Sequence, residues 1–153
     1  MTRTRTLGTV ACAAVLALSL VGCGGDDKDK GDSKALSATE FKDQANKLCA
    51  EASKDTESFG TGITETSSDA DVTEAIDKTV ARNKELIDAI DDLEAPDDLS
   101  DDVDSMLDSV EAGIEELDKI SSIADLTSID TSAGPFAEAD AKAKALGLDT
   151  CAE

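Results

Sequence analysis

The stretch "LSDDVDSMLDSVEAGIEELDKI", residues 99–120, decides the fold class. Its apolar residues recur at steps of three and four, and acidic residues fill most of the positions between them. This spacing places the apolar side chains along one side of an α-helix and the carboxylates along the other. It is also the spacing of helices that pack nearly antiparallel in a bundle. The apolar residues at these steps are Leu99, Val103, Met106, Val110, Ile114, Leu117 and Ile120.

Three further stretches repeat this periodicity. Together with the first stretch they predict four helices, over about residues 37–59, 71–93, 97–121 and 135–146. No segment shows a sustained period of two, so we expect no strands. Each helix has a single apolar side and is not stable alone. The sequence therefore predicts an all-α fold, a small four-helix bundle, in which Gly113 marks a close approach between neighbouring helices.

Signals for helix ends accompany these stretches. "SATE" at residues 37–40 is a capping box for the first helix, and Asp71 is predicted to cap the second. Gly147 is predicted to end the last helix in a left-handed conformation, with Leu148 folding back onto it. Residues 121–134 are predicted to be a loop that packs down or one short helical turn.

The N-terminal segment has the pattern of a signal peptide. Two arginines precede an apolar run with no charged residue until Asp26, and this run is shorter than the roughly 20 residues that span a bilayer. It ends in Leu20-Val21-Gly22-Cys23, which resembles the bacterial lipoprotein box. The resemblance implies that residues 1–22 are a lipoprotein signal peptide, cleaved before Cys23, and that the Cys23 thiol carries diacylglycerol. The alternatives are an ordinary secretory signal with a chance cysteine and a retained transmembrane anchor.

Composition separates a tether from a folded domain. Residues 23–36 are expected to be a lipidated cysteine and a disordered tether rich in Gly, Asp and Lys, and residues 37–153 the helical domain. The whole chain has 35 acidic and 14 basic residues, a net charge of −21. Such a surface repels nucleic acid and anionic lipid headgroups, so we expect no nucleic-acid partner and an anchor made by acyl chains alone.

Four cysteines constrain the covalent structure. Cys12 is expected to leave with the signal peptide and Cys23 to be acylated, which leaves Cys49 and Cys151 to pair outside the cell. This disulfide would close a loop of about a hundred residues and stabilise the fold by roughly 4 to 5 kcal/mol. The alternative is a redox-active pair, but no Cys-x-x-Cys motif supports it.

Three segments resemble a class of small actinobacterial lipoproteins and secreted proteins. They are "FKDQANKLC" at residues 41–49, "LEAPDDL" at 93–99 and "AKALGLDTC" at 143–151. The resemblance covers most of residues 38–151. It implies a helical fold and the disulfide, and it carries no functional site.

The residues for catalysis are largely missing. The chain has no His, Trp or Tyr, which removes the commonest general base and most sets of metal ligands. No G-x-S-x-G, S-x-x-K or phosphate-binding loop is present. Ser105 and Ser109 lie on the predicted third helix, where we expect no lysine or carboxylate partner for a serine nucleophile. We therefore expect no enzyme and no cofactor.

An acidic run, "DDLEAPDDLSDDVD" at residues 91–104, allows two interpretations. Clustered carboxylates are ligands for Ca²⁺, but this run does not fit the EF-hand pattern. The other interpretation is that its aspartates favour the start of the third helix, where the helix dipole stabilises anions. The same alternatives hold for "SSDADVTE" at residues 67–74. We predict no metal site.

Small residues on the apolar sides also allow two interpretations. They either bring helices close together or leave room for a lipid or another small hydrophobic molecule. These residues are Ala45, Ala52, Ala89, Ala139 and Ala143.

These features predict a lipid-anchored, non-catalytic protein on the outer face of the cytoplasmic membrane. It is expected to contact an envelope protein or a wall component, an interaction or structural role. The alternatives are a lipoprotein that binds a lipid or small solute and an extracellular cation buffer.

Overall fold

A computed structural model describes residues 36–152 of the chain. This part is all-α: helical residues make up 74% of it, and residues 36–152 include no strand. The predicted signal peptide over residues 1–22, Cys23 and almost all of the predicted tether lie outside the described residues. The elements are α1 (Ala38–Gly60), α2 (Asp69–Asp91), α3 (Ser100–Leu117), α4 (Ile123–Ser128), α5 (Gly134–Leu146) and a 3₁₀ helix (Asp149–Ala152).

The first and last predicted helix ends are confirmed. The Ser37 hydroxyl accepts the Glu40 backbone N–H at 3.3 Å, and the Glu40 carboxylate accepts the Ser37 backbone N–H at 3.0 Å. Gly147 follows α5 with a φ of 75°, and the Leu148 backbone N–H donates to the Ala143 carbonyl at 2.8 Å. A capping box and a left-handed glycine therefore define the outer ends of the helical domain.

The prediction that Asp71 caps α2 is wrong. Ser68 is the N-cap, and its hydroxyl accepts the Asp71 backbone N–H at 3.2 Å. The Asp71 carboxylate in turn accepts the Ser68 backbone N–H at 3.1 Å, so Asp71 is the reciprocal member of the box. The helix consequently begins two residues before the prediction. It ends at Asp91 instead of Leu93, and Glu94 then adopts a φ of 51° in the connection to α3.

The third helix is shorter than predicted at both ends. The Pro96 carbonyl accepts backbone N–H groups from Leu99 at 2.8 Å and Ser100 at 3.0 Å, so residues 96–99 form a turn ahead of α3. At the other end, the Ile120 backbone N–H bonds to the Leu117 carbonyl at 2.9 Å in a second turn. The segment 121–134, predicted to be a packed loop or one short helical turn, contains α4, a six-residue helix.

Two apolar clusters make up the core of the described residues. The first joins α1, the C-terminal part of α2, α3, α5 and the 3₁₀ helix, and its largest fully buried side chains are Phe41, Met106 and Leu148. Leu36, predicted as the last tether residue, packs against this cluster. The second cluster lies between α2, the C-terminal end of α3 and α4. Its buried members are Val72, Ile76, Val80, Ile114 and Ile120.

The four long helices pack against one another in chain order, and the short α4 is passed over. Helix α1 packs against α2, α2 against α3, and α3 against α5, while the 3₁₀ helix lies against α1 and α5. The predicted close approach at Gly113 is confirmed, since a Cβ atom there would lie 3.0 Å from Cε1 of Phe136 on α5. Within residues 36–152, none of the helices combines the length and apolarity needed to cross a bilayer.

Candidate functional site

The predicted disulfide is present. Cys49 on α1 and Cys151 in the 3₁₀ helix are joined, with Cα atoms 5.1 Å apart across 102 residues of sequence. Asn46, one turn before Cys49, accepts the Thr150 backbone N–H at 3.0 Å and donates to the Gly147 carbonyl at 3.3 Å. The bridge and this amide hold the C-terminal segment against α1, which is a structural role. Cys23, the predicted lipidation site, lies outside the described residues.

A lysine partner for Ser109 was missed at the sequence level. Lys142 Nζ on α5 donates to Ser109 Oγ at 2.7 Å and to the Ser105 carbonyl at 3.0 Å on α3. The expectation that Ser109 has no lysine partner is therefore wrong. The two residues are 33 positions apart and belong to different helices, and no motif of known spacing links them.

The Ser109–Lys142 pair lacks the surroundings of a catalytic dyad. Ser109 is only 6% exposed, and its hydroxyl also donates to the Ser105 carbonyl at 3.2 Å. It lies in the interior of α3, where backbone N–H groups bond within the helix and do not form an oxyanion hole. The pair joins two helices across a buried polar position.

The acidic run at residues 91–104 is divided between a loop and a helix start. Asp101 and Asp102 occupy the first turn of α3, as the dipole interpretation expects. Asp91, Glu94 and Asp104 line a shallow depression of about 380 Å³ beside them. Among residues 36–152, no three His, Cys, Asp or Glu side chains are grouped closely enough to hold a metal ion.

The five small residues do not form a ligand pocket. Ala45, Ala52 and Ala143 are buried in helix contacts. Ala139 and Ala143 line a cavity of about 90 Å³ beside the disulfide, well below the roughly 300 Å³ of the smallest ligand pockets.

A larger apolar groove lies elsewhere, between the C-terminal end of α1, the N-terminal half of α2, the end of α3 and α4. Its volume is about 380 Å³, within the range of ligand pockets. None of its lining residues is charged. The lining residues, which define what we call the apolar groove, are Thr56, Gly60, Ile63, Val72, Ala75, Ile76, Thr79, Leu117 and Leu126.

The walls of the apolar groove are partly open to solvent. Val72 and Ile76 belong to the second core cluster and form its floor, whereas Ile63, Leu117 and Leu126 are only partly buried. The two hydroxyls, of Thr56 and Thr79, already donate to carbonyls of their own helices. The groove therefore offers hydrocarbon contact and few free hydrogen-bond donors.

A second, polar depression adjoins the apolar groove. Ile63 and Ala75 line both. The polar depression, of about 390 Å³, is lined mainly by hydroxyls, the Asp71 carboxylate and the Glu74–Lys78 ion pair, and Phe59 and Gly62 complete its wall. No sequence pattern indicates these two concavities, because residues from four separate segments form them.

Searches with this chain found no matching protein-family model, curated protein or solved structure. The class of protein that the fold and its concavities define is an all-α domain closed by one disulfide.

Proposed function

We propose that this chain is a lipid-anchored, extracytoplasmic protein without catalytic activity, which contacts an envelope protein or wall component. The observation that carries the proposal is the disulfide between Cys49 and Cys151. Disulfides persist in oxidising compartments outside the cytoplasm, and the signal-like segment ending at Cys23 supplies a route there. Acyl chains on Cys23 would hold the acidic domain at a surface whose charge repels it.

Metabolic labelling with an alkyne-bearing fatty acid tests the anchor. We expect label on the wild type and on Cys12→Ser, and none on Cys23→Ser. Intact mass should also show loss of residues 1–22 from the labelled protein. A wild type that is exported but carries no acyl chain would overturn the anchor, and labelling lost in Cys12→Ser would place the modification elsewhere.

Crosslinking on living cells tests the interaction role. The acylated wild type and Cys23→Ser are compared after treatment with a membrane-impermeant crosslinker. We expect the wild type to give a discrete crosslinked species that is lost in Cys23→Ser, since the anchor concentrates the domain near its partner. If the wild-type protein is present at the cell surface but gives no crosslinked species, the proposal of a stable partner at the membrane is contradicted.

The Ser109–Lys142 pair is the arrangement against which the proposed absence of catalysis is tested. A fluorophosphonate probe reacts with activated serines, so it is the appropriate test. We expect no labelling of the wild type beyond that of Ser109→Ala. Stoichiometric labelling of Ser109 that disappears in Lys142→Met would show that the pair is an active dyad.

We also infer that α1, α2, α3 and α5 act together as a four-helix bundle, with α4 as an accessory. The support is the chain of contacts from α1 to α2, α3 and α5 and the first core cluster that all four share. No residue of α4 is buried. We expect slow amide exchange in the four long helices and fast exchange in α4; equal protection of α4 would contradict this division.

A further inference from the structure

We propose that the apolar groove and the adjoining polar depression form one binding site for a single-chain neutral amphiphile with a hydroxylated head, of the monoacylglycerol type. The hydrocarbon chain would lie in the apolar groove. The head would lie in the polar depression across Ile63 and Ala75, which line both. This inference is independent of the anchor at Cys23.

The shape of the apolar groove favours one chain. Its volume of about 380 Å³ is near the lower end of ligand pockets, so it has room for one hydrocarbon chain and little more. Along α2 the lining runs from Val72 to Thr79, about 10 Å of helix.

The chemistry of the lining favours hydrocarbon. Ile63, Leu117 and Leu126 come from three different segments and leave apolar surface partly exposed around the floor. Covering this surface with a chain would release water from it, at about 25 cal/mol for each Å² buried. The two threonine hydroxyls are already bonded, so no polar group in the apolar groove is left unpaired by an apolar ligand.

Charge argues against an anionic head group, and the polar lining offers acceptors for a hydroxylated one. The polar depression contains Asp71 and the ion-paired Glu74 and Lys78, together with the hydroxyls of Thr61 and Ser67. Carboxylates and hydroxyls accept hydrogen bonds from a glycerol or sugar hydroxyl. The net charge of −21 repels an anionic head, and it equally opposes the docking of a second copy of this chain.

Photo-crosslinking tests the site on the full chain as expressed. The probe is a monoacylglycerol with a diazirine in its acyl chain, used below its micelle concentration, and mass spectrometry of peptides locates the label. We expect label on peptides that contain Ile63, Leu117 or Leu126. Unlabelled lauroyl glycerol should compete for this labelling at least tenfold more effectively than laurate at low salt.

Two variants block the site and one serves as a matched control. Ala75→Leu fills the junction of the two concavities, and Ile63→Asn puts a polar group in the wall; each should lower labelling about tenfold. Ala81→Leu adds the same side chain at an exposed position of α2 and should leave labelling unchanged. The melting temperature of each variant is measured alongside, so that loss of fold is separated from loss of the site.

Three results would overturn the inference. One is no labelling of the wild type, and another is labelling that is equal in all three variants. The last is crosslinking of these peptides to a second copy or to another protein in place of the probe. The intact mass of the same sample reports acylation at Cys23, so a missing anchor and a missing site give different outcomes.

Discussion

At the scale of single residues, Gly113 sets how closely α3 and α5 approach. A Cβ atom at this position would lie 3.0 Å from Cε1 and 3.1 Å from Cδ1 of Phe136. Glycine in a helix interior costs up to about 1 kcal/mol relative to alanine, so Gly113 lowers the intrinsic stability of α3. The aromatic ring occupies the space that the missing side chain leaves.

We predict that the effect of Gly113→Ala depends on Phe136. In the wild type the substitution should destabilise by about 1 kcal/mol, because the ring must move. In a Phe136→Ala background the same substitution should stabilise by up to about 1 kcal/mol, because only the gain in helix propensity remains. Urea unfolding of the four proteins measures this cycle, and the same sign in both backgrounds would contradict the contact.

Lys142 is a second residue whose role comes from packing. Its ammonium bonds two oxygens of α3, and among the described residues it makes no salt bridge. Ser109, the only buried polar residue of the described part, is thereby supplied with a donor from α5. In the described part of the chain, these two bonds are the side-chain hydrogen bonds that join α3 and α5.

We predict that Lys142→Met costs about 1 to 2 kcal/mol of unfolding free energy, since Ser109 and the Ser105 carbonyl lose a charged donor. Lys144→Met is the matched control on the exposed side of the same helix and should change stability by less. Adding Ser109→Ala to Lys142→Met should cost little more, because the two residues form one unit. Additive losses in urea titrations would show that they do not interact.

At the scale of elements, serine–aspartate pairs define several turns and helix starts. Hydrogen bonds from Ser68 lower the pKa of Asp71, and those from Ser122 and Ser121 lower the pKa of Asp125. The Ser132 hydroxyl and backbone N–H similarly lower the pKa of Asp130. The ionised carboxylate is thus the form that accepts the capping bonds at the starts of α2 and α4.

We predict that the contribution of Asp71 to stability is lost in acid. A lowered native pKa means that stabilisation is complete above the ordinary value of 3.8 and disappears as pH falls through the native pKa. The difference in melting temperature between wild type and Asp71→Asn should therefore be largest near neutral pH and should vanish in strong acid. Asp77→Asn, on the exposed side of α2, is the control.

Circular dichroism during thermal unfolding, repeated across pH, gives this comparison. A difference between wild type and Asp71→Asn that is independent of pH would show that the carboxylate charge does not strengthen the cap. A similar pH dependence for Asp77→Asn would attribute the effect to general charge repulsion.

At the scale of the whole molecule, a small helical domain must fold against its own charge. The net charge is −21, and the described part contains only three salt bridges, all of them on α2 or between α1 and α2. Residues 85–118 include no lysine or arginine, so α3 and the end of α2 present an acidic surface. Self-repulsion of this kind lowers the stability of the fold. The disulfide between α1 and the C-terminal segment offsets part of this loss.

We predict that Cys49→Ala/Cys151→Ala is less stable than the wild type by roughly 4 to 5 kcal/mol, because the bridge closes a loop of about a hundred residues. This is a large share of the stability of a small domain. Urea unfolding with and without reductant measures it. Reductant should destabilise only the wild type, and a loss below about 1 kcal/mol would mean that the bridge does not constrain the unfolded chain.

The sequence by itself determined the all-α class, the capping box at Ser37, the left-handed Gly147 and the pairing of Cys49 with Cys151. Each depends on short-range geometry or on elimination: hydrophobic periodicity, a capping box of four residues, and two cysteines left to pair. Helix ends that depend on competing local bonds were less accurate, as at Ser68 and Pro96.

Only the tertiary structure decided which surfaces meet. It paired Ser109 with Lys142, placed Phe136 over Gly113 and assembled the apolar groove. It also decided between the two interpretations of the small residues for Ala45, Ala52 and Ala143, which are buried in helix contacts. Periodicity identifies the side of a helix that is buried. It does not identify which helix covers that side, because contacts between segments far apart in the sequence depend on how all the helices fit together.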